Sequence, residues 1–255
     1  DGDIDLASAS AGDNKIAWYE NTDGARSFGP QRVVSSAVDG AVSVFAADID
    51  GDGDMDLASA SWRDDKIAWY ENTDGAGTFG PQRVVSTTAN SAGSVFAADI
   101  DGDGDIDLAS ASAGDNKIAW YENMDGAGSF GPQQAVSTAA DIARSVFAAD
   151  IDGDGDMDLA SASSFDNKIA WFENMDGAGT FGPQRVVSTA ANGAWSVFAA
   201  DIDGDGDMDL ASASAYDDKI AWYENTDGAG SFGPQRVVST VADDAVSVFA
   251  ADIDG

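Results

Sequence analysis

An all-β fold, a five-bladed β-propeller, is predicted by three features of this sequence: a strict 51-residue period, four short β-type runs in each period, and turn chemistry between the runs. The string Ala-Asp-Ile-Asp-Gly recurs with its first Asp at 48, 99, 150, 201 and 252, so five copies of 51 residues account for all 255. No linker or shift of composition interrupts the copies, and residues 1–255 read as a single domain.

Residues 94–144 illustrate one period. Ser94–Ala98 is a β-branched and aromatic run that reads as the first strand. An acidic, glycine-rich loop follows over Asp99–Asp107, then the alternating second strand Leu108–Ser112. Gly114-Asp115-Asn116 supplies a turn, Lys117–Glu122 the third strand, Asp125-Gly126 a tight hairpin and Ser129–Ser137 the fourth strand. The second strand is all small residues, as in Ala58–Ser61, which predicts an inner strand where sheets crowd an axis. The fourth carries Pro30, Pro81, Pro132, Pro183 and Pro234, which suits an outer edge because proline donates nothing to a ladder. The tryptophans at 18, 69, 120, 171 and 222, mid-way along the third strand, read as packing between blades.

Residues 252–255 are the first four positions of the acidic loop and residues 1–5 its last five. The expected ring therefore closes by pairing a C-terminal first strand with the N-terminal second to fourth strands, one blade being shared between 1–41 and 242–255. Any whole number of repeats has this phase, so the match alone does not fix the blade count.

Charge narrows the function. The 46 acidic residues against 12 Lys plus Arg give a formal net charge of −34. Such a chain is a poor partner for nucleic acid or anionic membrane, and its self-repulsion calls for bound cations. No apolar run is long enough for membrane insertion; these residues contain no signal peptide, and because they begin mid-motif there is room for a leader upstream. Histidine and cysteine are absent, which removes imidazole and thiolate catalysis and the usual zinc sites. The glutamates at 20, 71, 122, 173 and 224 repeat identically, so no unique acid–base constellation marks one active site; the chain reads as no enzyme.

The acidic loop is the strongest chemical signal. Asp48, Asp50, Asp52, Asp54 and Asp56 occupy loop positions 1, 3, 5, 7 and 9. The pattern returns at Asp99, Asp101, Asp103, Asp105 and Asp107, at Asp150, Asp152, Asp154, Asp156 and Asp158, and at Asp201, Asp203, Asp205, Asp207 and Asp209. The split copy comprises Asp252, Asp254, Asp1, Asp3 and Asp5. Two carboxylates about 4 Å apart repel by roughly 4 kcal/mol at an effective dielectric near 20, so a cluster of them needs a counter-ion. Hard oxygen donors on a flexible loop suit Ca²⁺, about one per blade, better than Mg²⁺ with its strict octahedron. Five such ions would bring the net charge from −34 to −24. The plainer alternative is a solvated acidic turn.

The Asp-x-Asp-x-Asp-Gly-x-x-Asp pattern and the following Phe79-Gly80-Pro81 resemble FG-GAP/VCBS repeats over the whole chain. Such repeats build the integrin α-subunit propeller and Ca²⁺-dependent lectin propellers, typically with seven blades rather than five. The resemblance implies Ca²⁺ held by the side chains of Asp48, Asp50, Asp52 and Asp56 with the carbonyl of Asp54, and likewise in each copy. It also implies an extracellular or cell-surface setting, where calcium is abundant.

Variation between copies concentrates in two connections: the turn between second and third strands, and the loop from the fourth strand to the next first strand. These carry Trp62, Arg63, Arg144, Phe165, Trp195 and Tyr216, residue types enriched at binding hot spots, and in a four-stranded meander they emerge on the face opposite the acidic loops. The expectation is a monomeric binding module for a glycan or protein ligand; the alternatives are neutral drift in exposed loops, ring stacking between blades, and a ligand-free structural or designed scaffold.

Overall fold

The structure is a computed structural model that describes residues 2–25 and 27–253. It is all-β, in five antiparallel sheets. The first sheet holds β1 (Leu6–Ser10), β2 (Lys15–Tyr19) and β3 (Arg32–Ser35). The second holds β4 (Ala41–Ala47), β5 (Asp56–Ser61), β6 (Lys66–Tyr70) and β7 (Arg83–Ser86). The third holds β8 (Ala92–Ala98), β9 (Asp107–Ser112), β10 (Lys117–Tyr121) and β11 (Gln134–Ser137). The fourth holds β12 (Ala143–Ala149), β13 (Asp158–Ser163), β14 (Lys168–Phe172) and β15 (Arg185–Ser188), and the fifth β16 (Ala194–Ala200), β17 (Asp209–Ser214), β18 (Lys219–Tyr223) and β19 (Arg236–Ser239). Every sheet is a meander in chain order, so the four-stranded repeat read from the sequence is the unit that folds.

Sheets pack face to face, and the innermost strand is the first one, not the second. Phe45, Phe96, Phe147, Phe198 and Phe249 form a continuous ring stack with centroids 4.4, 4.5, 4.6 and 4.7 Å apart. Beside it the amide of each following repeat donates to a serine hydroxyl one repeat back, Val95 to Ser43 at 3.2 Å and Val197 to Ser145 at 3.3 Å. The small residues of β5, β9 and β13 have a different cause: beyond their leading Asp-Leu these buried strands have a sheet on each face, and the space between sheets suits Ala and Ser. The fourth strands are shorter than expected and lie at the outer edge. Pro132 precedes β11 rather than interrupting it, in a segment joined to the third strand by the Asn123–Phe130 bridge and by Gln133.

The repeated tryptophan does join sheets. Trp69 is 1% exposed, and a Cβ placed on Gly128 of the next sheet would lie 2.1 Å from its ring. Gly77, Gly179 and Gly230 meet Trp18, Trp120 and Trp171 in the same way, all at positive φ. Gly128→Ala is therefore expected to destabilise the fold by roughly 2–3 kcal/mol through steric overlap and left-handed strain together, read as a lower denaturation midpoint. The first repeat has Arg26 at this position, outside the described residues.

The ends depart from the expected closed ring. Among the described residues β1 has no strand on its inner, axial side, and residues 240–253 form none. That C-terminal segment lies beside β16, where Phe249 caps the ring stack and the Val248 amide donates to Ser196 Oγ at 3.3 Å. Phe249 stays 72% exposed. A cleft of about 730 Å³ between the first two sheets, lined by Leu6, Trp18, Leu57 and Asn72 among others, lies beside β1.

Candidate functional site

The acidic loop joins the innermost strand to its neighbour, and its glycines let it fold back on itself. Gly53 adopts φ +96°, and Asp48 Oδ2 accepts its amide at 3.0 Å. In the third sheet Asp99 accepts from both Gly102 and Gly104, at 2.8 and 3.1 Å. These turns bring three carboxylates together: Asp48, Asp50 and Asp56; Asp99, Asp101 and Asp107; Asp150, Asp152 and Asp158; Asp201, Asp203 and Asp209, with one oxygen from each residue within 4.8 Å of the other two. Four loops assemble such a triad among the described residues.

Positions 1, 3 and 9 thus converge, while positions 5 and 7 stand outside the triad. Asp52 and Asp103 spend an oxygen on the amides of Asp54 and Asp105, each at 2.9 Å. Asp54 turns its carboxylate onto Gly75 of the neighbouring hairpin, as do Asp105, Asp156 and Asp207 onto the equivalent glycines. In the split loop Asp1 and Asp254 lie outside the described residues; Asp5 is exposed and Asp3 sits against Gly24.

The position-9 aspartate anchors the site. Asp56, Asp107, Asp158 and Asp209 are buried, and each accepts two backbone amides, for Asp107 those of Ile100 at 3.0 Å and Asn123 at 2.7 Å. Sequence reasoning passed over its partner. Asn123 donates its amide nitrogen to Ile106 O of its own loop and, at 2.8 Å, to Ile49 O of the preceding sheet, and Asn174 and Asn225 bond Ile100 O and Ile151 O identically. Each acidic loop is thereby fastened to the next blade. The signal was present as an Asn invariant in all five copies, next to the glutamate.

Electrostatically the triads are unbalanced. Burial is the largest influence on Asp56, Asp107 and Asp158, outweighing the amides that stabilise the anion and raising them to about 6, 7 and 7. Asp50, Asp101 and Asp152 are also raised, by burial first and by the adjacent Asp52, Asp103 and Asp154 second. Asp48 Oδ1, Asp50 Oδ1 and Asp152 Oδ1 are shielded from solvent with no hydrogen-bond donor. Orphaned buried carboxylate oxygens, converging and all hard, fit a divalent cation. The pH consequence has a definite sign. Native-state values above the unfolded ones mean that the metal-free fold binds more protons, so its stability falls as pH rises through about 6 to 7. Melts in chelator are expected to show a lower Tm at pH 8 than at pH 5, with a divalent cation removing or reversing the trend.

At the opposite end of the sheets, the two variable connections are hydrogen-bonded to each other: Trp62 N to Gly40 O at 3.0 Å, Tyr216 N to Asn192 O at 3.1 Å. A pocket of about 300 Å³ lies here, lined by Val42, Gly93, Arg144 and Trp195, all second residues of innermost strands, with Trp62, Ser91 and Ala113. Of the six expected ligand-face residues, the fold brings Trp62, Arg144 and Trp195 to one pocket. Arg63, Phe165 and Tyr216 lie outside its lining; Phe165 is 70% and Tyr216 64% exposed. Arg144 stacks on Trp195 at 4.1 Å and Arg63 on Trp62 at 4.9 Å.

Known proteins give a family and structural likenesses, among them a fungal lectin and a bacterial matrix protein. A lectin of Agrocybe aegerita, described as recognising non-reducing terminal N-acetylglucosamine, shares the fold with TM-score 0.63 at 22% identity, over 95% of this chain and 67% of the lectin chain. The Vibrio cholerae biofilm matrix protein Bap1 matches with TM-score 0.56 at 20% identity, over 97% of this chain and 38% of its own. No curated protein matches the sequence. The FG-GAP-like repeat model matches in four tandem segments, residues 1–59, 56–110, 99–161 and 152–212. With acidic triads, sheet order and repeat all in agreement, the chain belongs to the FG-GAP-like repeat family.

Proposed function

We propose that this chain is a Ca²⁺-stabilised, non-catalytic β-propeller binding module that recognises a glycan or protein surface through the face opposite its acidic loops. The observation that carries the reading is the placement of variation: Trp62, Arg144 and Trp195, which differ from their counterparts in the other repeats, meet around one pocket. Calcium is the cation because the donors are all oxygen and the loop is flexible. Asp at positions 1, 3 and 9 would hold it, with positions 5 and 7 within the same loop as further donors. Likeness to a lectin and to a matrix protein supports binding in an extracellular or surface setting. A glycan array and protein pull-down, repeated with Trp62→Ala and Trp195→Ala, test the reading; a ligand lost in both variants is expected, and binding indifferent to both contradicts it. The second reading, a ligand-free scaffold, draws on Tyr216 and Trp62 packing over Gly193 and Gly40, where a Cβ would come within 2.6 and 2.5 Å of their rings.

The ring closes, in this proposal, when the chain's own C-terminal segment adds to β1. Repeat geometry gives the register: Val44 faces Ser59, so Val248 would face Ser8. Asn72 supports it, since it lacks the cross-sheet carbonyl that Asn123, Asn174 and Asn225 use, and Ile253 O is the repeat-equivalent acceptor. Arg26 stands where closure would bring Trp222, so Arg26→Gly is expected to favour it. With cysteines at positions 8 and 248 of this cysteine-free chain, closure yields an intramolecular disulfide; a disulfide-linked dimer signals strand exchange instead, and no disulfide contradicts both.

A further inference from the structure

Arg144 is singular in this protein. All five lysines, and Arg32, Arg63, Arg83, Arg185 and Arg236, pair with a carboxylate. Arg144 alone among the described Lys and Arg residues has none, in a chain with 46 acidic residues. Its Nε donates to Ser164 Oγ at 3.3 Å, one face of its guanidinium lies on Trp195, and its terminal amino groups have no acceptor among the described residues. It is half-buried, and desolvation, only partly offset by the nearby Tyr216, depresses its basicity. The four other repeats place Val42, Gly93, Trp195 and Val246 at this position, so nothing in the repeat architecture requires an arginine there.

The surroundings are those of a small ligand site. The pocket of about 300 Å³ is at the small end of ligand cavities, room for one ring rather than a chain. Trp62 contributes a flat apolar wall, 42% exposed, held by Arg63, itself neutralised by Asp39 at 3.6 Å. A forked guanidinium with two free amino groups matches a carboxylate, and an indole face matches the C–H face of a pyranose.

We propose that this pocket takes a carboxylated monosaccharide, a uronate, with its carboxylate on the Arg144 fork and its ring against Trp62. The inference rests on the glycan reading above and narrows it to an acidic sugar. Ligand carboxylate would pair the one cation among the described residues that lacks a carboxylate, which also explains how so acidic a protein accepts an anion: the pairing is local, and the acidic loops at the far end of the sheets are screened beyond about 8 Å at physiological ionic strength.

The test is calorimetric titration of the intact chain in Ca²⁺ with methyl glucuronide, methyl glucoside and benzoate. The uronate is expected to bind at least about tenfold more tightly than the neutral glucoside, the scale of one charge-assisted hydrogen bond. Arg144→Gln should erase that preference, Trp62→Ala should weaken both sugars, and Arg236→Gln, distant from the pocket, should change neither. Equal affinity for the two sugars, or a preference surviving Arg144→Gln, overturns the proposal while leaving a neutral-glycan module standing. Benzoate outcompeting the uronate overturns the sugar assignment, and no binding of any probe together with a blank glycan array removes both readings.

Discussion

Stripping divalent cations is expected to lower the melting temperature by on the order of 20 °C or more. The estimate follows from linkage: a ligand held at about 100 times its Kd contributes roughly 2.7 kcal/mol per site, and each kcal/mol moves a domain of this size by about 2–4 °C. Four triads are assembled among the described residues, so the contributions accumulate. The mechanism is structural rather than merely electrostatic. Each loop carries a buried position-9 aspartate bonded to an asparagine, and Asn123, Asn174 and Asn225 each bond the preceding loop as well. Leaving three carboxylates to repel one another loosens the loop and the blade-to-blade link together. Melts in calcium and in chelator check this; superimposable curves contradict a structural ion.

The second large effect comes from a paired substitution. Trp171→Ala is expected to cost about 3–5 kcal/mol, since the ring is 1% exposed and clamped by Gly230 of the following sheet. Trp222→Ala, the same change one repeat later, is expected to cost no more than about 1–2 kcal/mol while the ring is open as in this structure, and to approach the cost of Trp171→Ala where it closes. Trp222 is only partly buried and has no following sheet, while Arg236 stacks on it at 4.8 Å much as Arg185 stacks on Trp171 at 4.7 Å. Denaturant midpoints of the two variants measure the difference. Equal costs would mean that Trp222 is covered in solution, by closure of the ring or by a second copy.

How much of this was legible in the sequence depends on whether a feature is local or collective. Strand positions, turns and the acidic loop are local: Ile-Ala-Trp between a polar turn and Asp-Gly reads as a strand from its own residues, and the acidic spacing marks the loop that gathers the aspartates at 1, 3 and 9. The tryptophan column was legible because a ring of that size, recurring mid-strand, needs a neighbouring sheet. Strand order was not. Ala-Ser-Ala-Ser in β5 reads as axial, yet smallness there answers to sheets on both faces, while the axis is filled by Phe45 and its copies. The roles of loop positions 5 and 7 were likewise hidden, because hydrogen bonds within the loop and contact with Gly75 compete with the cation for those carboxylates. Ring closure is collective too: phase permits it for any number of repeats, and among the described residues β1 pairs with β2 alone. The pocket at Arg144 required the strand order before it existed at all.

The central claim is that the aspartate triads hold a divalent metal, and equilibrium dialysis of chelator-treated protein against calcium measures it most directly. The account predicts at least four ions bound per chain, one for each assembled triad, and one fewer after Asp158→Asn. Saturation without bound calcium, or a stoichiometry indifferent to that substitution, would contradict it.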